Sequence, residues 1–266
     1  MIVTSPSGAA QLSRKIVAVI VRETQSRYTG DALGYGWAYV TPLVWIVLIY
    51  GTFTVLGRQS PIDTDLGSFI LSGVMPYLAL RYQVNAALRV KSSYRNVLPL
   101  PGITSTSIYL GIALLEFANA LIIYALLLGL NFWISGHFEI HRLVPWFSGF
   151  ATASGCGAAL GYAVSANFAR ADSASRIMTV VLRPLFYISP IFYVAEELPA
   201  QVVWVIRWNP LLHAIEVLRG GAFHSYQTHA GTLLIPLAFV VCCIVAGRYG
   251  ELRLGKGSNA KISALE

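Results

Sequence analysis

Six runs of apolar sequence, each about 20 residues or longer, leave this chain few ways to fold. They are Tyr35–Leu56, Leu66–Leu88, Thr106–Trp133, Leu143–Phe168, Ser175–Val194 and Thr232–Tyr249. A run of that length crosses hydrocarbon as a helix, because a helix satisfies every backbone N–H and C=O internally. Composition agrees. Of 266 residues, only 12% are charged, against roughly 25% in a soluble domain, too few to coat a globule of this size. The expected fold class is an all-α polytopic membrane protein with six transmembrane helices. It divides into a cytoplasmic tail with an amphipathic interface helix (1–34), a six-helix transmembrane domain (35–250) and a basic cytoplasmic tail (251–266).

The net charge of +7 fits a nucleic-acid binder only if the cations form one face. They do not. Arg14, Lys15, Arg22 and Arg27 precede the first run, and Arg81, Arg89, Lys91 and Arg95 lie at the second connection. Arg170, Arg176 and Arg183 lie around the fourth connection, and Arg248, Arg253, Lys256 and Lys261 follow the last run. Only Arg58, Arg142, Arg207 and Arg219 fall on the other side. Cations concentrate in cytoplasmic loops, so both termini are expected in the cytoplasm. Nucleic acid is excluded as a partner, and no cleavable leader is expected at "MIVTSPSGAAQLSRK". Leu12–Tyr28 has an apolar centre too short to span and cations at both ends, which predicts a helix lying along the cytoplasmic interface.

Three constellations carry possible chemistry. "GELRLGKGSN" approaches a phosphate loop, but Gly257 stands where a hydroxyl is needed for magnesium and no strand precedes it. "ATASGCGAALG" holds Ser154, with His213 downstream, a combination an intramembrane serine hydrolase could use. The same stretch spaces Gly155, Ala159 and Ala163 for close helix packing, and that reading is preferred. Cys156, Cys242 and Cys243 lack metal-ligand spacing and read as small packing residues, so no metal site is expected.

Charges inside the runs are costly and need partners. Arg81 and Arg183 can reach the inner headgroups by extending their stems. Glu116 is too deep for that. It must pair with a cation, bond a neighbour such as Asn119, or face a watery path. Between the fifth and sixth runs, Leu198–Trp208 and Leu211–Leu218 are apolar but too short to span, broken at Asn209-Pro210. They predict re-entrant outer helices able to gate an exit.

"RETQSRYTGDALGYGWAYVTPL" resembles the entry of permease subunits that export capsule and O-antigen polysaccharides, through Arg27, Tyr28, Leu33, Gly34, Trp37 and Pro42. "ISPIFY" and "NPLLHAIEVLRGGAF" resemble that family's fifth span and outer helices through Pro190, Asn209, Pro210 and Arg219. The likeness covers nearly the whole chain and is strongest to the capsule (KpsM-like) branch. Pro190 stands where many members carry glycine.

The resemblance implies one half of an ATP-driven exporter of lipid-linked capsular polysaccharide in the bacterial inner membrane. The chain itself would be no enzyme and carry no cofactor. A second copy, two copies of an ATPase that holds ATP and magnesium, and periplasmic and outer-membrane export components would be its partners. The connection "RVKSSYRNVLPLPG" would dock on the ATPase. Pro99 and Pro101 stiffen it, and Arg89, Lys91 and Arg95 offer cations, with Arg22 and Arg27 of the entry helix as a second contact. Sugar rings offer C–H faces to aromatic planes. Tyr35, Tyr39 and Tyr50, which share a helical face, are therefore expected along the pathway. Trp37 and Trp45 lie off that face, and Arg81, Arg183 and Glu116 are the charged candidates. Asn209, Pro210 and Arg219 are the outer-gate candidates. The competing readings are a permease for drug, lipid or teichoic acid, and the serine hydrolase above.

Overall fold

The computed structural model describes residues 8–28, 36–94, 104–168, 171–227 and 231–263. All regular structure among them is helical: α1 (Gly8–Tyr28), α2 (Trp37–Val55), α3 (Leu66–Ser93), α4 (Ser105–Ser135), α5 (Leu143–Asn167), α6 (Ala171–Ile188), α7 (Ala200–Ile206), α8 (Pro210–Ala222) and α9 (Leu234–Ser263). A single turn of tighter helix covers Ala195–Glu197. By length and composition, α4 and the Leu234–Arg253 part of α9 are able to cross a membrane, and α2 is apolar but shorter.

Local chemistry places the helix starts. The Asp65 carboxylate accepts from Ser68 N at 2.9 Å and caps α3. Thr104 and Ser107 bond each other's backbone in a capping box before α4. The Asn209 side chain accepts from Leu211 N at 3.0 Å, and Pro210 occupies the first position of α8, where its missing N–H costs nothing.

Four of the six apolar runs coincide with helices to within a few residues; the last two differ. The fifth run was expected to continue to Val194, but α6 begins at Ala171 and stops at Ile188. Pro190 has no N–H to continue it, and the chain turns there, Ile191 N donating to Ser189 O at 2.7 Å. The sixth run continues past Tyr249 to Ser263, so the basic tail is an extension of α9.

α3 sits at the centre. From Gly67 to Leu80 it is buried on every side. α5 packs along it, α4 and α8 cover other faces, and α2 and α6 lie against it more loosely. α9 and α8 lean on α5. Between apolar helices in lipid there is little hydrophobic drive, so packing decides. Gly157 and Gly161 of α5 face Leu80, Val84 and Ala87 of α3, bringing the two backbones together. Of the expected small-residue stripe, Ala159 and Ala163 are buried with Cys243 of α9, whereas Gly155 meets nothing within 4 Å. The close-approach face of α5 is thus displaced by two residues from the stripe read in sequence. The three cysteines are free thiols, and no group of three metal-ligating side chains occurs among the described residues.

Candidate functional site

A cleft of about 330 Å³ opens between α2, α3 and α6. Val74, Leu78, Arg81 and Asn85 present one face of α3 to it at intervals of three and four. Thr179, Leu182, Arg183 and Phe186 do the same on α6. α2 contributes Trp45, whose ring meets Phe186 edge-on at 6.3 Å between centroids. Tyr77 lies 4.8 Å from Phe186, and its hydroxyl donates to Leu182 O at 3.0 Å, fixing α6 against α3. Phe186 and Tyr187 are also edge-on at 5.3 Å. The result is an aromatic wall bearing two guanidiniums, Arg81 half-buried within and Arg183 exposed at the rim. Such a surface can hold an anionic group by bidentate hydrogen bonds while a ring slides over the aromatics.

Of the pathway candidates, the cleft brings together Trp45, Arg81 and Arg183. Trp37 and Tyr50 are exposed on α2 outside it, and Tyr39 is half-buried against the core. Glu116 is buried on α4, within electrostatic reach of the Tyr82 hydroxyl rather than lining the cleft. Tyr35 lies outside the described residues. Tyr77, Phe186 and Tyr187 escaped the sequence reading. For Phe186 the signal is the strong amphipathic period of α6, which puts it on the same face as Arg183.

At the end of the bundle where α1 sits, three helices are tied together. Val19 of α1 is buried with Ala86 and Val90 of α3, with Tyr94 just after it, and with Ile108 and Ile112 of α4. The Arg22 guanidinium stacks over the Tyr94 ring at 4.4 Å and reaches Ser93 O at 3.4 Å. The Tyr94 hydroxyl donates to the Glu23 carboxylate at 3.0 Å. α1 therefore packs on the bundle where the second connection begins. Lys91, one of the candidates for a partner contact, donates to Phe168 O at 2.8 Å, at the residue that ends α5. Burial lowers its pKa from the ordinary lysine value, and Glu251 opposes that. Arg89 remains exposed. The side chain of Arg27 and residues Arg95, Pro99 and Pro101 lie outside the described residues. Lys91→Met is expected to lower the melting temperature of the purified protein by several degrees, about 1.5–3 kcal/mol for a charged hydrogen bond, while Arg89→Ala leaves it unchanged. Differential scanning fluorimetry in detergent separates the two.

The opposite end is built on Arg219. It is fully buried, donating to Ser72 Oγ (3.1 Å), Tyr193 O (2.8 Å) and Ile191 O (2.9 Å). Its guanidinium also lies 4.2 Å from the Phe69 ring centroid. Glu216, one turn earlier on α8 and equally buried, accepts from the Tyr226 hydroxyl at 2.5 Å. Asn209 caps α8 and donates to Ser189 Oγ at 2.8 Å. These residues thus fasten α8 to α3 and to the turn after α6.

Ser154 and His213 are not brought together. The Ser154 hydroxyl accepts from Gln83 Nε2 at 2.8 Å, and His213 bonds Arg207 O at 2.6 Å. Among the described residues no base is hydrogen-bonded to the serine, so the hydrolase reading has no geometry behind it.

Residues 14–223 match the family described as ABC-2 type transporter. The chain is 26% identical over 242 residues to the polysialic acid transport protein KpsM of Escherichia coli, covering 87% of this chain and 90% of the relative. It is 26% identical over 240 residues to the capsule polysaccharide export inner-membrane protein BexB of Haemophilus influenzae, covering 87% and 89%. To the capsule polysaccharide export inner-membrane protein CtrC of Neisseria meningitidis serogroup B it is 25% identical over 253 residues, covering 92% of each.

Proposed function

The chain belongs to the ABC-2 type transporter family, and we propose that it is the permease subunit of an ATP-driven exporter moving lipid-linked capsular polysaccharide across the bacterial inner membrane. α2, α3, α4, α5, α6 and α9 cross the bilayer, with α1 and the end of α9 in the cytoplasm; the distribution of cations supports this orientation. α1 lies at the cytoplasmic interface, and α7 and α8 form the re-entrant outer pair. ATP is hydrolysed on a separate subunit, two copies of which dock beneath two copies of this chain. The α1–α3 junction around Tyr94 receives the push, because Arg22, Glu23 and Val19 join it to α1 and Lys91 joins it to α5. Arg89, Arg95 and Arg27 are the cations left for the partner. Periplasmic and outer-membrane components take the product onward.

The observation that carries this reading is the aromatic cleft with Arg81 and Arg183. It opens at the rim where Arg183 and Tyr187 are exposed, and a second copy would complete its walls. An acidic sugar or the phosphate of a lipid anchor binds the guanidiniums, and sugar rings pass over Trp45, Phe186 and Tyr187. Arg183→Ala and Arg81→Ala are each expected to cut surface polysaccharide roughly tenfold, the worth of one charge-assisted hydrogen bond, with Arg183→Lys losing less. Surface polysaccharide is quantified at matched permease levels. Unchanged export in the double alanine variant overturns the cleft as the pathway. ATPase turnover in the purified complex stimulated by a drug or free lipid, and not by polysaccharide, moves the substrate class.

A further inference from the structure

A second concave surface is formed by a different set of helices. Between α4, α5 and α9 runs a groove of about 440 Å³, walled by Leu110, Ala113, Ala158, Ala159 and Ile244. Gly155 keeps it open, since a Cβ there would meet nothing within 4 Å. One end only is polar, where Thr106, Tyr162 and Arg248 line it. Tyr109 packs edge-on against Tyr162 at 4.9 Å, and its own hydroxyl is engaged with Ser165 at 2.8 Å. The Tyr162 hydroxyl is buried at that end. It faces Arg248 and Glu251, which pair at 2.8 Å on the exposed side of α9. Lys91 also feels Glu251 but is held by Phe168 O.

We propose that this groove is a binding site for one diacyl phospholipid whose headgroup carries both a phosphate and an ammonium. The acyl chain lies along Ala158, Ala159 and Ile244. The phosphate accepts from Arg248 and from the Tyr162 hydroxyl. The ammonium sits on the Glu251 carboxylate. A groove that is apolar along its length and polar at one end selects an amphiphile. Because Arg248 and Glu251 offer one charge of each sign, a zwitterionic headgroup satisfies both, whereas a purely anionic one takes Arg248 and leaves Glu251 with Lys91 alone. That the lipid belongs to the inner leaflet follows from the orientation proposed above; the site itself does not depend on that orientation or on the substrate.

The test is native mass spectrometry of the full chain released from nanodiscs made of equal parts phosphatidylethanolamine and phosphatidylglycerol. Phosphatidylethanolamine is expected to be retained in preference. Tyr162→Phe and Arg248→Gln should each lower its retention roughly tenfold, as expected for a lost charge-assisted hydrogen bond. Gly155→Leu should abolish it by filling the groove. Leu126→Ala, on an exposed part of α4, should leave it intact. Unchanged melting curves for Tyr162→Phe and Gly155→Leu distinguish loss of lipid from loss of fold. Equal retention of phosphatidylglycerol, or undiminished lipid in Gly155→Leu, overturns the proposal. So does a Gly155→Leu chain that keeps its lipid but no longer associates with a second copy, which would make the groove an interface between copies.

Discussion

An Arg219→Ala permease is expected to accumulate poorly in the membrane and to melt far below the wild type, by about 3–5 kcal/mol, the usual cost of removing one partner from a buried charge cluster. The side chain is 0% exposed and makes three hydrogen bonds, two of them to carbonyls of the turn that ends α6. Alanine leaves those carbonyls and Ser72 Oγ without a donor and Glu216 buried without its neighbouring cation. Lysine should rescue little. Its ammonium is a compact point charge and cannot span Ser72, Ile191 and Tyr193 in the planar fork that arginine provides. The informative variant is the double replacement Arg219→Leu with Glu216→Leu. Exchanging a buried charge cluster for apolar side chains of similar volume is often neutral, so the double variant should recover part of what the single one loses. Thermal unfolding in detergent, read beside expression level, decides the matter: a single alanine variant melting like wild type removes the clamp.

The same residue marks where the sequence stops being informative. Asn209-Pro210 reads directly as a helix start, and Asp65 and Thr104 start helices by equally local chemistry. Arg219 does not read that way. Its partners at Ser72, Ile191 and Tyr193 are distant in sequence, and nothing near Arg219 announces that this cation is buried. Lys91 is a parallel case. In sequence it is one cation among several at a loop, yet its ammonium is spent on the end of α5. The face of α2 that lines the cleft was also illegible, for a different reason. A helix that is apolar all round has no period to orient it, so the shared face of Tyr39 and Tyr50 carried no information about which side meets α6. Trp45, off that face, is the residue that reaches Phe186. α6 does have a period, and it puts Arg183 and Phe186 on one wall. The early end of α6 was written in Pro190, but hydropathy alone continued the run through "ISPIFY".

Gly157→Leu is expected to prevent assembly of the bundle altogether, and Gly157→Ala to destabilise it by about 1–3 kcal/mol or more, the range for forcing extra atoms into a packed core. A Cβ at Gly157 would stand 2.3 Å from Leu80 O and 2.7 Å from Leu80 Cα, both backbone atoms that cannot turn aside. One turn further, a Cβ at Gly161 would stand 2.9 Å from Val84 Cα, so the two backbones stay close over a full turn and α5 has little room to shift away from the clash. The axis of the molecule is therefore set by the distance between α3 and α5. α3 carries Arg81 and Tyr77 into the cleft, and α5 carries the carbonyl that Lys91 holds. Separating them should cost export even where some protein survives. Gly155→Ala is the control on the same helix. It enters open space, and alanine is the better helix former by about 1 kcal/mol, so it should leave export intact and raise the melting temperature if it moves it at all. Size-exclusion profiles and melting curves of the three variants, set beside surface polysaccharide, make the comparison. If Gly157→Ala behaved like Gly155→Ala, close backbone approach would not be what holds α3 and α5 together, and the positions of Arg81 and Tyr77 would need another cause.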